Sequence, residues 1–166
     1  MTALPFDWPV LGFGPDLGPV SDVLVTFPSA AWFEICTSTT LKHGYRIGMI
    51  LVDAAGRSWE IQAIQKLGPA GPIWFEILRA IFAGGATYRI GVDLAEREPM
   101  PLEVVKARVL AIMESHSDQW RDHEAEAGED GPPVDGRIRL NELKGRVQCA
   151  KSLAGVIKAA EVLVAE

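Results

Sequence analysis

The sequence predicts an α+β fold: an antiparallel sheet of about four to five strands with three helices, the two longest at the C-terminus. Three observations carry this. Residues 46–66 read as a hairpin, residues 72–85 and 99–124 carry helical periodicity, and a further helical segment runs from about Leu140 to Val164. The chain has 166 residues, enough for one buried core, so a single domain over 1–166 is expected.

Residues 1–21 hold Pro5, Pro9, Pro15 and Pro19 among Phe6, Trp8, Leu11 and Phe13. Proline removes backbone donors and glycine loosens the chain, so neither a helix nor an interior strand is expected. The aromatic content argues against a solvated tail, which leaves an extended arm lying on the body or on a second subunit. Residues 23–27 read as a short strand stopped by Pro28.

Residues 46–52 form an apolar run, followed by Asp53-Ala54-Ala55-Gly56 and a return strand over 57–66. Asp at the first position and Gly at the fourth suit a type I turn with the glycine at positive φ. Trp59, Ile61 and Ala63 alternate with Glu60 and Gln62, the period of a half-buried strand. The outgoing strand is apolar on both faces and is therefore expected inside the sheet.

Pro72 suits a helix start and Gly84-Gly85 its end. Between them only Glu76 and Arg79 are charged, so that helix is either buried almost all round or faces a partner. Residues 87–93 alternate as another strand. Pro99 and Pro101 open a longer helix with Leu102, Val105, Val109, Ile112, His116, Trp120 and His123 on one stripe. Residues 125–137 form an acidic Gly/Pro-rich loop. The last helix places Leu143, Val147, Ala150, Ala154, Ile157, Ala160 and Val164 inward.

Trp-Phe-Glu-Ile followed by Tyr-Arg-Ile-Gly occurs twice, at 32–35 with 45–48 and at 74–77 with 88–91. A structural duplication would repeat the element type. The first copy runs into Cys36-Thr37-Ser38-Thr39-Thr40, which favours a strand; the second runs into good helix formers. The echo is thus expected to be coincidental, with Tyr-Arg opening a strand in both copies.

Composition excludes several function classes. A net charge of −6 and a pI near 5.1 argue against nucleic-acid binding, which needs a dense positive face. No apolar stretch is long enough to span a membrane. No Lys or Arg precedes Lys42 and no apolar core follows Met1, so no signal peptide is read and a cytoplasmic location is expected. Cys36 and Cys149 lack metal or redox spacing and are expected as buried free thiols.

No phosphate loop, nucleophile elbow, zinc-protease helix or calcium loop is present, and Gly12-Phe13-Gly14 lacks the strand–turn–helix context of a phosphate cradle. His116 and His123 share a helix face, but the spacing is not that of a metal pair, so no metal and no cofactor are expected. Glu34, Tyr45, Arg46, Glu60 and Arg89 are the polar groups from which a small-molecule enzyme or sensor would build a pocket.

Asp118, Asp122, Glu124, Glu126, Glu129, Asp130 and Asp135 face only Arg121 in their stretch, whereas six bases from Arg137 to Lys158 face only Glu142. Lys144, Lys151 and Lys158 recur at seven-residue steps beside the apolar face. Acidic loop and basic helix can neutralise each other within the chain, or the acidic stretch can dock a basic partner. In size, charge and hairpin-plus-helix make-up the chain resembles the small acidic bacterial immunity proteins, which plug the active site of a basic toxin. The resemblance implies a non-catalytic, inhibitor-type binding protein in which Asp118, Asp122, Glu124, Glu126, Glu129 and Asp130 meet the partner. The alternative is an assembly subunit, a homodimer through the helix at 73–82 and the arm at 1–21.

Overall fold

The computed structural model describes residues 4–14, 24–82, 85–115 and 136–161. The fold is α+β, and the sheet has six strands rather than four to five: β1 (Val10–Phe13), β2 (Leu24–Phe27), β3 (Ile35–Thr37), β4 (Ile50–Asp53), β5 (Ser58–Pro69) and β6 (Thr87–Arg97). Their order is β2-β1-β4-β5-β6-β3, and every neighbouring pair is antiparallel. The described helices are α1 (Ala30–Phe33), α2 (Ser38–His43), α3 (Ile73–Phe82), α4 (Leu102–Ser115), α5 (Gly136–Cys149) and α6 (Leu153–Glu161), twice the number expected.

The two edge strands, β2 and β3, are consecutive in the chain and joined through the single turn of α1. A flat six-stranded sheet would hold its edges about 24 Å apart, at about 4.8 Å per strand. Instead the ring of Phe27 on β2 lies 5.1 Å from that of Phe33 at the end of α1. The sheet therefore curls until α1 spans the seam, and its concave side fills with Phe6, Val10, Phe27, Phe33, Met49, Leu51, Trp59 and Ile61. Edge-to-face contacts of Phe6 with Trp8, Phe33 and Trp59, at 5.5, 5.3 and 4.9 Å, knit this interior.

Among the described residues, the convex side is covered over β1, β2 and β4. Leu11, Phe13, Val52, Leu24 and Ile50 pack there against Val105, Val109, Ile112 and Met113 of α4, Leu140, Leu143 and Val147 of α5, and Leu153, Val156 and Ile157 of α6. No residue of β3, β5 or β6 belongs to this second core. The covering layer is thus α4, α5 and α6, and α3 contributes no described side chain to it.

The hairpin forms as read. Ile50 faces Glu60, Leu51 faces Trp59 and Val52 faces Ser58, Gly56 sits at φ +86°, and its N–H donates to Asp53 O at 3.0 Å. The outgoing strand is interior, between β1 and β5, but shorter than expected because residues 44–48 are turn. Trp59 and Ile61 face the inner core; an irregularity between Ile61 and Ala63 then hands the inward position to Ile64 rather than Ala63.

The N-terminal segment overturns its expectation. It does not lie on the surface as an arm: β1 pairs with both β2 and β4, and Val10, Leu11 and Phe13 are fully buried. Val10 and Gly12 face the inner core while Leu11 and Phe13 face the helices. A side chain on Gly12 would meet Met49 Sδ at 2.7 Å and Phe27 Cε2 at 3.1 Å. The glycine is there because two core side chains occupy the space a Cβ would take.

Asp53, fully buried, ties this strand to the hairpin. Its Oδ2 accepts from Asp7 N at 3.1 Å and from Arg57 Nε and Nη2 at 2.9 and 2.7 Å. Its Oδ1 accepts from the N–H groups of Ala55 and Arg57, both at 3.0 Å. Ala54 N in turn donates to Asp7 O, and Met100 N donates to Gly56 O, so the approach to α4 is registered on the same turn.

The last helix is two. Val156 N donates to Ser152 O and Gly155 N to Ser152 Oγ at 3.2 Å, so Ser152 caps a new helix after the break at Ala150–Ser152. Of the expected inward residues, Leu143, Val147, Ile157 and Ala160 are buried, joined by Leu153, Val156 and Ala159; Val164 lies outside the described residues. Gly136 and Arg137, read as loop, already belong to α5. The break also interrupts the lysine stripe, and Lys144 pairs with Glu114 of α4.

The repeated words do not repeat one structure, although Trp-Phe is helical in both copies. Trp32-Phe33 ends α1 and Ile35 begins β3, whereas residues 74–77 are wholly helical; Tyr45-Arg46-Ile47-Gly48 is turn, whereas residues 88–91 lie in β6. The second expectation for this pair, that both Tyr-Arg words open strands, holds only for the later copy.

Gly12→Val is expected to lower the free energy of unfolding by about 3 kcal/mol, and Gly12→Ala by about 1 kcal/mol, through overpacking. Asp53→Ala is expected to cost about 3 kcal/mol by leaving buried donors without an acceptor. Urea unfolding should show all three as lower midpoints at unchanged slope.

Candidate docking surface

Helix α3 departs most from ordinary burial. Ile73, Trp74, Phe75 and Ile77 are 69, 65, 48 and 54% exposed, and none belongs to either core cluster. The buried residue on the same turn is a glutamate, Glu76. Over residues 73–77 the apolar side chains face outward and the acid faces inward.

Thr87, the first residue of β6, explains the orientation. Its N–H donates to Glu76 Oε2 at 2.6 Å and its hydroxyl donates to Oε1 at 2.9 Å. Arg79 Nη1 reaches the same hydroxyl at 3.3 Å, and Ala70 N donates to Thr87 O at 3.0 Å. Both charges of α3 are therefore drawn to one threonine on the body. The amide of Thr87, with help from Arg79, holds the Glu76 carboxyl below the usual glutamate range. Pro72 O accepts from the N–H groups of Phe75 and Glu76, which starts the helix where the proline predicted it.

Other large apolar side chains are exposed on the same half of the chain. Leu67, at the second irregularity of β5, is 58% exposed, and Trp32 beside the seam is 70% exposed. Among the described residues, the core beneath the helices that cover β1, β2 and β4 includes no side chain of β3, β5 or β6.

Four of the other candidate groups have described contacts. Glu60 pairs with Arg97, Tyr45 stacks on His43 at 5.2 Å, and Arg89 lies opposite Ile35 on β3. Arg46 Nη1 donates to Phe33 O at 2.9 Å, with its guanidinium 5.0 Å from the Phe27 ring, so it braces the seam. Burial pushes the Cys36 thiol up, against the pull of Arg46. Cys36 is buried and free as expected; Cys149 is free but exposed. Among the described residues no three His, Cys, Asp or Glu side chains are grouped to hold a metal, and no helix is long and apolar enough to cross a membrane. Asp118, Asp122, Glu124, Glu126, Glu129 and Asp130, with His116 and His123, lie outside the described residues.

No protein-family model matches the chain, and no curated protein or solved structure is significantly similar to it. Sequence reasoning identified α3 as an apolar helix that is either buried or partnered. It missed which side faces out, and the only available signal was the single acidic residue on an otherwise apolar turn.

Because its folded pKa is depressed, Glu76 stabilises the attachment of α3 above its unfolded pKa, and this contribution is lost as pH falls through the folded value. The Thr87 amide resonance should therefore titrate with a midpoint below that of an ordinary glutamate. Glu76→Ala should accelerate hydrogen exchange across residues 73–82 by far more than it accelerates exchange in the core strands.

Proposed function

We propose that this chain is a non-catalytic protein-binding module. The observation that supports the reading best is α3, which turns Ile73, Trp74 and Ile77 to solvent while both of its charges bond inward to Thr87. Exposed apolar surface of this size on one element is the usual mark of a protein contact. Aromatic residues are enriched at such contacts, and Trp most often carries their binding energy.

The acidic residues Asp118, Asp122, Glu124, Glu126, Glu129 and Asp130 supply the second part of the reading. In a chain of net charge −6 they would steer a basic partner and set its orientation, in the manner of an inhibitor or immunity-type protein acting in the cytoplasm. The assembly-subunit alternative loses half of its basis, because the N-terminal segment is an interior strand; α3 remains available to it.

The test is capture from the native cell with the full chain as bait. A basic protein retained in near-equal amount, and released by raising salt, is the expected outcome. Reversing the six carboxylates to lysine should weaken that partner about tenfold or more. Retention unchanged by the reversal would remove the acidic stretch as the contact.

A further inference from the structure

Resting on the reading of this chain as a binding protein, we infer that the outward face of α3 is occupied by a second copy of the same chain, so that the binding module is a two-fold dimer. The argument begins with charge. Between Ile73 and Ile77 the only ionisable side chain is Glu76, which is turned inward with its carboxylate held by Thr87. Arg79, one turn on, bonds to the same threonine and lies 6.0 Å from the Phe75 ring. Covering this face strips water from no unpaired charge. Between Ile73 and Ile77 the same property leaves a hetero-partner no outward charge with which to form a complementary pair; Arg79, one turn on, is the exposed charge of α3.

Area is the second argument. At side-chain areas on the order of 150–250 Å² for the aromatics and somewhat less for isoleucine, the four exposed residues of α3 present roughly 500 Å² of apolar surface. A standard stable interface covers about 800 Å² on each partner, and homodimer interfaces are the more apolar class. One helix thus supplies over half of what each copy needs, nearly all of it apolar.

Shape is the third. Ile73 and Ile77 stand one turn apart and form a ridge, with Trp74 beside it. Two such helices crossing about a two-fold axis place the ridge of each in the groove of the other, and a two-fold contact requires only that one patch fit itself. The helix belongs to neither core cluster through any described side chain, so this face can change without disturbing the interior.

Sedimentation velocity on the full chain, at tens of micromolar, tests the proposal. The expected result is a species of twice 18.0 kDa. Because two copies of charge −6 repel, added salt should hold or strengthen it, whereas a basic partner on the acidic stretch should weaken in salt. Trp74→Glu should raise the dimer dissociation constant roughly thirtyfold or more, with an unchanged circular dichroism spectrum. Ile77→Glu, made separately, should act in the same direction. A monomeric wild-type chain overturns the proposal, and so does a dimer indifferent to both substitutions. A monomer that instead sediments with phosphatidylglycerol vesicles assigns the face to lipid and also overturns it. The six-carboxylate reversal separates the two readings: it should leave the dimer intact, and loss of a basic partner from an intact dimer bears on the acidic stretch alone.

Discussion

The structure depends on a short connection. Two strands at opposite edges of a six-stranded sheet follow one another in the chain, with one helical turn between them. That link forces the sheet to curl, and the curl creates an inside. Aromatic side chains fill it because rings can meet edge to face where strands converge from several directions. Arg46 fixes the closing turn by donating to the Phe33 carbonyl, so the residue that binds the seam comes from the loop leading into β4. Burial lowers the pKa of that guanidinium, consistent with a bracing role inside the fold.

A curled sheet has two unequal surfaces, and the described helices pack on part of the outer one. β1 and β4 lie beneath α4, α5 and α6 and are apolar on both sides, which is why their sequences do not alternate. β5 and β6 extend beyond that cover as a long antiparallel ribbon, pairing from Ser58 with Arg97 to Pro69 with Tyr88. Asp53 stands where the two regimes meet. Its carboxylate collects donors from the N-terminal segment and the hairpin turn, and the same turn accepts the backbone leading to α4. One buried acid thereby registers three parts of the chain that are distant in sequence.

What could be read from sequence follows from how local each feature is. The hairpin was legible because Asp53, Gly56 and the Trp59–Ile61 alternation act within a dozen residues. The N-terminal strand was not legible: it is four residues long, buried on both faces and surrounded by prolines, and its Gly12 answers to Met49 and Phe27 rather than to its neighbours. The break at Ala150–Ser152 rests on a single serine cap inside an otherwise helical pattern, a signal outweighed by the periodicity around it. The doubled Trp-Phe-Glu-Ile words show the same limit from the other side, since one tetrapeptide straddles a helix and a strand and the other is all helix.

The candidate surface was half legible for a related reason. Helical periodicity locates an apolar stripe and a polar one, but assigns neither to the interior; that assignment follows from which side finds the better partner. In α3 a carboxylate meets a backbone N–H and a hydroxyl at the start of β6, and an arginine shares the same hydroxyl. Those bonds satisfy the polar side so well that it faces the body, and Ile73, Trp74 and Ile77 are left outward. An isolated apolar face of this kind works against solubility unless something covers it. Amphipathicity in this helix therefore records one attachment made within the chain through Glu76, and leaves outward the face for which we propose a second.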